Sequence, residues 1–78
     1  MNVRIKGLTR EEVMVFENFA NASWENAFSL DKFSGCGVKD MEKRQKYMNL
    51  FEENNLYKQD EDGDYMLTAK GLRAVNRL

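Results

Sequence analysis

Residues 38–57, VKDMEKRQKYMNLFEENNLY, form the longest patterned stretch of the chain and decide the fold that we predict. On a helical wheel, one broad face collects the apolar side chains of Met41, Tyr47, Met48 and Phe51. The opposite face carries Lys39, Lys43, Lys46 and Leu50. An apolar face opposite a polar one is typical of a helix that packs on a core. The stretch therefore predicts an amphipathic helix over 39–54 with its lysines in solvent.

A β-hairpin is predicted directly after this helix. Leu56 and Tyr57 favour a strand, and so does the run 65–67 on the far side of an acidic turn. Asp62-Gly63 between them supplies the positive φ that such a turn needs. We expect residues 56–58 to pair with residues 65–67. Thr68 then caps a last helix, Ala69 to Arg77, which packs back on the hairpin through Leu72 and Val75.

Two helices are predicted before the long one. Thr9 and Glu12 form a capping-box signature, and apolar residues at helical spacing follow it, so a first helix is expected near 10–22. Ser29 can cap a second, short helix over 29–35, which the run Gly35-Cys36-Gly37 ends. Ahead of both helices, Val3 and Ile5 alternate with basic residues, which fits a short edge strand or an extended arm.

Length and composition indicate a single domain over residues 1–78. A chain of 78 residues is too short for two cores, and its hydrophobic fraction of 42% argues against disorder despite 32% charged residues. Trp24 and Phe28 are expected to belong to the core. The chain therefore predicts one α+β unit.

The charge is segregated along the chain, although the net charge is only −1. The acidic excess lies in residues 52–64, where Lys58 is the one basic residue beside Glu52, Glu53, Asp60, Glu61, Asp62 and Asp64, so the rest of the chain is net positive. The protein as a whole thus has no long-range attraction for a polyanion, and any nucleic-acid binding must come from local clusters of basic residues.

Catalytic and metal sites are not expected. Cys36 is the single cysteine and the chain has no histidine, so one subunit cannot assemble a Cys-His nucleophile or a usual zinc site. If the acidic run 60–64 were a calcium loop with Gly63 at its sixth position, the first and twelfth positions would be Lys58 and Ala69. Neither residue has the carboxylate that a calcium loop requires there. We therefore predict no cofactor, no metal and no enzymatic activity.

The cellular setting is also predicted from the sequence. One cysteine cannot form an intramolecular disulfide, and no signal segment is recognised, so we expect a cytoplasmic protein. No apolar run approaches the roughly 20 residues of a membrane span. A membrane is therefore not among the expected partners.

The ordered set of motifs resembles the winged helix-turn-helix regulators of bacteria, archaea and their viruses. The residues that carry the resemblance are Ser29-Leu30-x-x-Phe33, a glycine turn, a helix ending Phe51-Glu52-Glu53-x-x-Leu56-Tyr57, and Gly63-x-Tyr65-x-Leu67-Thr68-x-Lys70-Gly71. The resemblance implies an α+β fold with three helices, a two- or three-stranded antiparallel wing and a short C-terminal helix. It also implies a transcriptional regulator that binds duplex DNA.

In that family the long helix usually enters the major groove, which places base-edge contacts on the residues that face away from the core. Carried over to this chain, those residues are Lys39, Lys43 and Lys46, and Arg4 and Lys6 are expected to add phosphate contacts. A homodimer would have to use the first or the last helix, because the chain has no additional helix to build one.

Two features depart from the family pattern. Arg44 falls inside the apolar face of the long helix, so either its stem packs and its charged end reaches solvent, or the helix has a different register. The wing carries carboxylates where the family often has basic residues, which would repel phosphate. An alternative function follows, namely a winged-helix protein-interaction module that uses its acidic wing or exposed aromatic residues.

Overall fold

The helices and strands follow one another in the order that the caps and apolar periods of the sequence predict. The computed structural model describes residues 5–24 and 26–76, and in this part the fold is α+β. In chain order its elements are α1 (Arg10–Ser23), a 3₁₀ helix (Leu30–Cys36), α2 (Met41–Glu53), β1 (Tyr57–Gln59), β2 (Tyr65–Leu67) and α3 (Ala69–Val75).

Helix α1 begins where the sequence predicts it. The Thr9 hydroxyl accepts a hydrogen bond from the Glu12 amide at 3.2 Å, and the Glu12 carboxylate accepts one from the Thr9 amide at 2.7 Å. This reciprocal pair satisfies two amide groups that the first helical turn leaves without partners. The buried face of the helix consists of Val13, Phe16, Phe19, Ala20 and Ser23. The helix predicted near 10–22 is confirmed.

The second predicted helix is present but is a 3₁₀ helix, displaced by one residue from 29–35. Ser29 occupies its N-cap position without making a side-chain capping bond, so the cap predicted there is wrong. Gly37 ends the helix in the left-handed conformation with φ 85°. This conformation costs glycine little, and it redirects the chain towards α2.

Helix α2 is shorter than the predicted 39–54 at both ends. It begins at Met41 because the Asp40 side chain accepts a hydrogen bond from the Glu42 amide, which caps the helix. At its other end, Asn55 has φ 61° and the Leu56 amide donates back to the Phe51 carbonyl at 2.9 Å. This is the Schellman arrangement, which satisfies carbonyl groups in the last turn of the helix.

The hairpin pairs Tyr57–Gln59 with Tyr65–Leu67, so the predicted strand 56–58 was displaced by one residue. The reason is that the Leu56 amide is already used in ending α2. The turn forms around Asp60, whose carboxylate accepts hydrogen bonds from the Asp62 and Asp64 amides at 2.9 Å each. Gly63 has the predicted positive φ, at 84°.

A single-residue bridge extends the sheet on the other edge of β2. The Phe28 amide donates to the Tyr65 carbonyl at 2.9 Å, and the Tyr65 amide donates to the Phe28 carbonyl at 2.7 Å. The segment between α1 and the 3₁₀ helix is thereby attached to the hairpin.

The core is an aromatic cluster between α1, the 3₁₀ helix, α2 and β1. The Phe16 and Phe51 rings meet edge to face at 5.3 Å, and the Phe19 and Phe33 rings stack at 4.9 Å. The buried hydroxyl groups of Ser23 and Tyr57 form a hydrogen bond of 2.6 Å. This bond ties the end of α1 to β1.

Two residues predicted to be apolar core side chains are instead partly in solvent. Trp24 is 39% exposed at the end of α1, where the helix terminates and the chain turns away. Met41 is 41% exposed because it opens α2, beyond the edge of the core. Phe28 packs against the core as predicted, although only half-buried.

Helix α3 is capped by Thr68, as predicted. The Thr68 hydroxyl accepts a hydrogen bond from the Gly71 amide at 3.0 Å and donates one to the Asn55 carbonyl. Leu72 and Val75, predicted to pack back on the hairpin, pack against the core cluster to which the hairpin contributes Tyr57, Tyr65 and Leu67. The helix ends at Val75 rather than at Arg77, which lies outside the described residues. Val3 and Arg4, and with them most of the strand predicted at the start of the chain, also lie outside the described residues. The Cys36 side chain is likewise not described, whereas Ile5 is buried in the core.

Candidate functional site

The solvent face of α2 carries the two lysines that the wheel placed there. Lys43 and Lys46 are both exposed and lie three residues apart, so their side chains are neighbours on the helix surface. Both line an open groove of about 670 Å³ next to the start of α1. The other residues that line it are Glu12, Tyr47, Asn49, Leu50 and Glu53. Leu50, predicted to be on the lysine face, is half-buried and packs against the core.

The remaining predicted site residues do not lie on α2. Lys39 is exposed, but it precedes the Asp40 cap, so the prediction that it belongs to the helix is wrong. Lys6 is exposed in the segment before α1. Arg4 lies outside the described residues. The predicted ridge of three lysines is therefore a pair on the helix and one lysine in the turn that leads into it.

Arg44 connects α2 with the two segments that precede it in the chain. The side chain is only 4% exposed. Its Nε donates to the Val38 carbonyl at 2.8 Å, and its Nη2 donates to the Lys39 carbonyl at 3.0 Å. Its Nη1 donates to the Leu30 carbonyl at 3.1 Å, in the 3₁₀ helix. Three backbone carbonyls thus satisfy one buried guanidinium group.

This arrangement overturns both alternatives considered for Arg44. The charged end does not reach solvent, and the helix has the predicted register, since Met48 and Phe51 are buried beside it. A guanidinium group carries five N–H donors in a planar fork, so it can bind several carbonyls that diverge in direction. The sequence signal was an arginine on an apolar face just after a glycine-containing turn, where backbone carbonyls lack helical partners.

An amide pair, Gln45 and Asn49, also lies on α2, and Asn49 lines the same groove as the two lysines. Gln45 Nε2 donates to Asn49 Oδ1 at 2.8 Å, and it lies 3.4 Å from the hydroxyl of Tyr65 on β2. Asn49 is exposed and Gln45 is half-buried. The pair therefore links the surface of α2 to the hairpin.

Carboxylates accompany the lysines. Glu42 and Glu53 are exposed on α2, so the helix surface is mixed rather than uniformly basic. Glu61 and Asp62 are exposed at the hairpin tip, whereas Asp60 is half-buried and holds the turn. Within residues 5–24 and 26–76, no group of three histidine, cysteine or acidic side chains is arranged to hold a metal ion.

Neither a protein-family model, nor a curated protein, nor a solved structure matches the chain. In the part of the chain that the structure describes, none of the helices combines the length and the apolar character needed to cross a membrane.

Proposed function

We propose that this protein is a small winged-helix DNA-binding protein that regulates transcription. In this proposal α2 is the recognition helix, and Lys43 and Lys46 reach duplex DNA from its solvent face. The observation that carries the proposal is the position of these two lysines, which are exposed neighbours on a helix whose buried face is held by Arg44.

The order of the elements supports this proposal. A short helix, a turn, a longer helix, a hairpin and a further helix follow one another, which is the order of the family that the sequence resembles. The 3₁₀ helix and α2 are joined by a turn that begins with the left-handed Gly37, which suits a helix-turn-helix unit. A helix docked in this way can project its outer face without disturbing the core.

The charge distribution limits how DNA would be contacted. Lys39 and Lys6 are exposed and would add phosphate contacts to those of Lys43 and Lys46, and Arg4 is proposed to do the same. The exposed Glu61 and Asp62 would repel phosphate, so the hairpin tip is proposed to stay away from the backbone. Binding through so few cations should be weak and strongly salt-dependent.

A titration of the protein with mixed-sequence duplex DNA tests this proposal. Fluorescence anisotropy of a labelled duplex, measured between about 50 and 200 mM salt, should show affinity that falls linearly on a log-log plot. Two to four neutralised phosphates correspond to a slope of about −2 to −4. If the protein binds no duplex DNA at about 50 mM salt, the proposal is wrong.

A second candidate function is a winged-helix module that binds another protein. The exposed Trp24 and the acidic hairpin tip favour it, because an exposed aromatic can anchor an interface and a tip bearing Glu61 and Asp62 complements a basic surface. A homodimer through α1 belongs to the same class, since Met14 is 60% exposed on that helix. Sedimentation at increasing protein concentration tests the homodimer.

A further inference from the structure

The amide pair on α2 can both donate and accept hydrogen bonds, whereas the lysines can only donate them. The Asn49 Oδ1 accepts the hydrogen bond from Gln45 Nε2, which uses one of its two lone pairs. Gln45 is itself half-buried and lies next to the Tyr65 hydroxyl. The Asn49 amide is therefore held from one side, by a residue that contacts the hairpin.

The free hydrogen-bonding groups of Asn49 form a definite pattern. Among the described residues, its Nδ2 donates to no acceptor, and one lone pair of Oδ1 is left open by the bond from Gln45. One donor beside one acceptor is the complement of the adenine edge in the major groove, where N7 accepts and the N6 amino group donates. Guanine offers two acceptors at that edge, so the Oδ1 atom would face O6 without a hydrogen.

The position of Asn49 agrees with such a role. Lys43, Lys46 and Asn49 succeed one another at intervals of three residues, and all three line the same groove. Residues at this spacing are neighbours along a helix surface. Cations that hold phosphates set the register of a protein on DNA, and a neutral amide next to them can then contact a base.

We propose that Asn49 is a specificity-determining residue that binds an adenine edge in the major groove, and that Gln45 is a positioning residue that orients it. This proposal rests on the proposed function, since it requires α2 to enter the groove. Nδ2 donates to adenine N7, and the N6 amino group donates to Oδ1. The restraint from Gln45 lowers the conformational entropy that Asn49 loses on binding.

The test begins with selection of preferred sequences from a random duplex library by the full chain. We expect a consensus with adenine at one position. The ratio of affinities for the consensus and for a duplex with that base pair replaced should fall about 5- to 150-fold in Asn49→Ala, which is the usual discrimination of one bidentate contact. The salt slope should not change, because asparagine carries no charge.

Two further variants distinguish base contact from a structural role. Asn49→Asp should move the preference from adenine towards cytosine, whose N4 amino group a carboxylate accepts. Gln45→Ala should lower the affinity ratio, while the thermal midpoint of this variant and the salt slope of its DNA binding stay at the wild-type values. Asn21→Ala, which removes an exposed asparagine from α1, is the matched control and should retain the wild-type ratio.

The outcomes separate this proposal from the one on which it rests. If the wild-type protein binds no duplex at low salt, both proposals are wrong. If it binds DNA with a lysine-dependent salt slope, and Asn49→Ala and Asn49→Asp select the wild-type consensus with an unchanged ratio, only the assignment of Asn49 is overturned.

Discussion

The Nη1 atom of Arg44 donates a hydrogen bond to the carbonyl of Leu30 at 3.1 Å, which joins α2 to the first residue of the 3₁₀ helix. The same guanidinium binds the Val38 and Lys39 carbonyls in the turn between them. This side chain therefore joins α2 to the element before it, in addition to the core that Phe33 and Phe51 share.

Removing this guanidinium should destabilise the protein. In Arg44→Met the stem can still pack, but three carbonyls lose a charged donor, so we expect a loss of about 2 to 4 kcal/mol in the free energy of unfolding. Arg44→Lys should recover only part of it, because an ammonium group does not match the fork of donors. Urea denaturation measures both. A Met variant as stable as wild type would mean that the three hydrogen bonds contribute no net stability.

Removing either lysine on α2 should weaken DNA binding and reduce its salt dependence. Each phosphate that loses its cation changes the slope of log affinity against log salt by about 0.9, so Lys43→Ala and Lys46→Ala should each flatten it by about one. Stability should stay within about 0.5 kcal/mol, because both side chains are exposed.

Arg73→Ala is the control for this experiment. It removes the same charge from an exposed position on α3, far along the chain from α2, and should leave the slope unchanged. Equal flattening in the Arg73 variant would show that the slope reports net charge rather than contacts from α2.

Neutralising the hairpin turn distinguishes the two candidate functions. Asp60→Asn keeps the Oδ1 acceptor for the Asp62 and Asp64 amides, so it should remove charge and leave the turn formed. With Asp62→Asn it should strengthen DNA binding by relieving repulsion. For a module that binds a basic partner, the same double variant should instead abolish capture of that partner. Lost capture together with unaffected lysine variants would rule out DNA as the partner.

The core should not tolerate truncation of Phe51. Its side chain is fully buried and contacts the rings of Phe16, Phe19 and Tyr57. Phe51→Ala should therefore cost about 3 to 5 kcal/mol, a large part of the stability of a domain of this size. Chemical denaturation of the variant gives the value. A cost under about 1 kcal/mol would be incompatible with this packing.

The substitution Gly71→Ala is expected to destabilise the protein, although alanine forms helices better than glycine does. A Cβ at this buried position in α3 would meet the carbonyl of Leu56, which belongs to the backbone and cannot move aside easily. Overpacking of this kind costs about 1 to 3 kcal/mol, which exceeds the roughly 1 kcal/mol that helix propensity contributes. A higher thermal midpoint for Gly71→Ala would contradict the close approach of α3 to Leu56.

The sequence by itself determined the features that depend on near neighbours in the chain. Thr9 with Glu12 and Thr68 with Gly71 are caps whose partners lie three residues away, so their hydrogen bonds could be predicted from spacing. The buried face of α2 around Met48 and Phe51 follows from helical periodicity. The exposure of Lys43 and Lys46 follows from the same pattern, whereas their contact with DNA stays a prediction.

Only the tertiary structure decided two kinds of feature. The first is a contact between residues distant in sequence, and the second is the exposure of apolar residues at the edge of the core. Arg44 is buried because carbonyls from the 3₁₀ helix and the turn converge on it. Its place on the apolar face of α2 marked it as unusual, but which carbonyls would bind it followed only from the folded chain. Trp24 and Met41 are partly exposed because they lie at helix ends, beyond the core that their apolar character suggested. Strand β1 starts at Tyr57 because the Leu56 amide already donates to the Phe51 carbonyl at the end of α2, so only the Leu56 carbonyl is left to pair with the Thr68 amide across the hairpin. Each residue other than proline has one backbone N–H group, and the folded chain as a whole decides which acceptor that group binds.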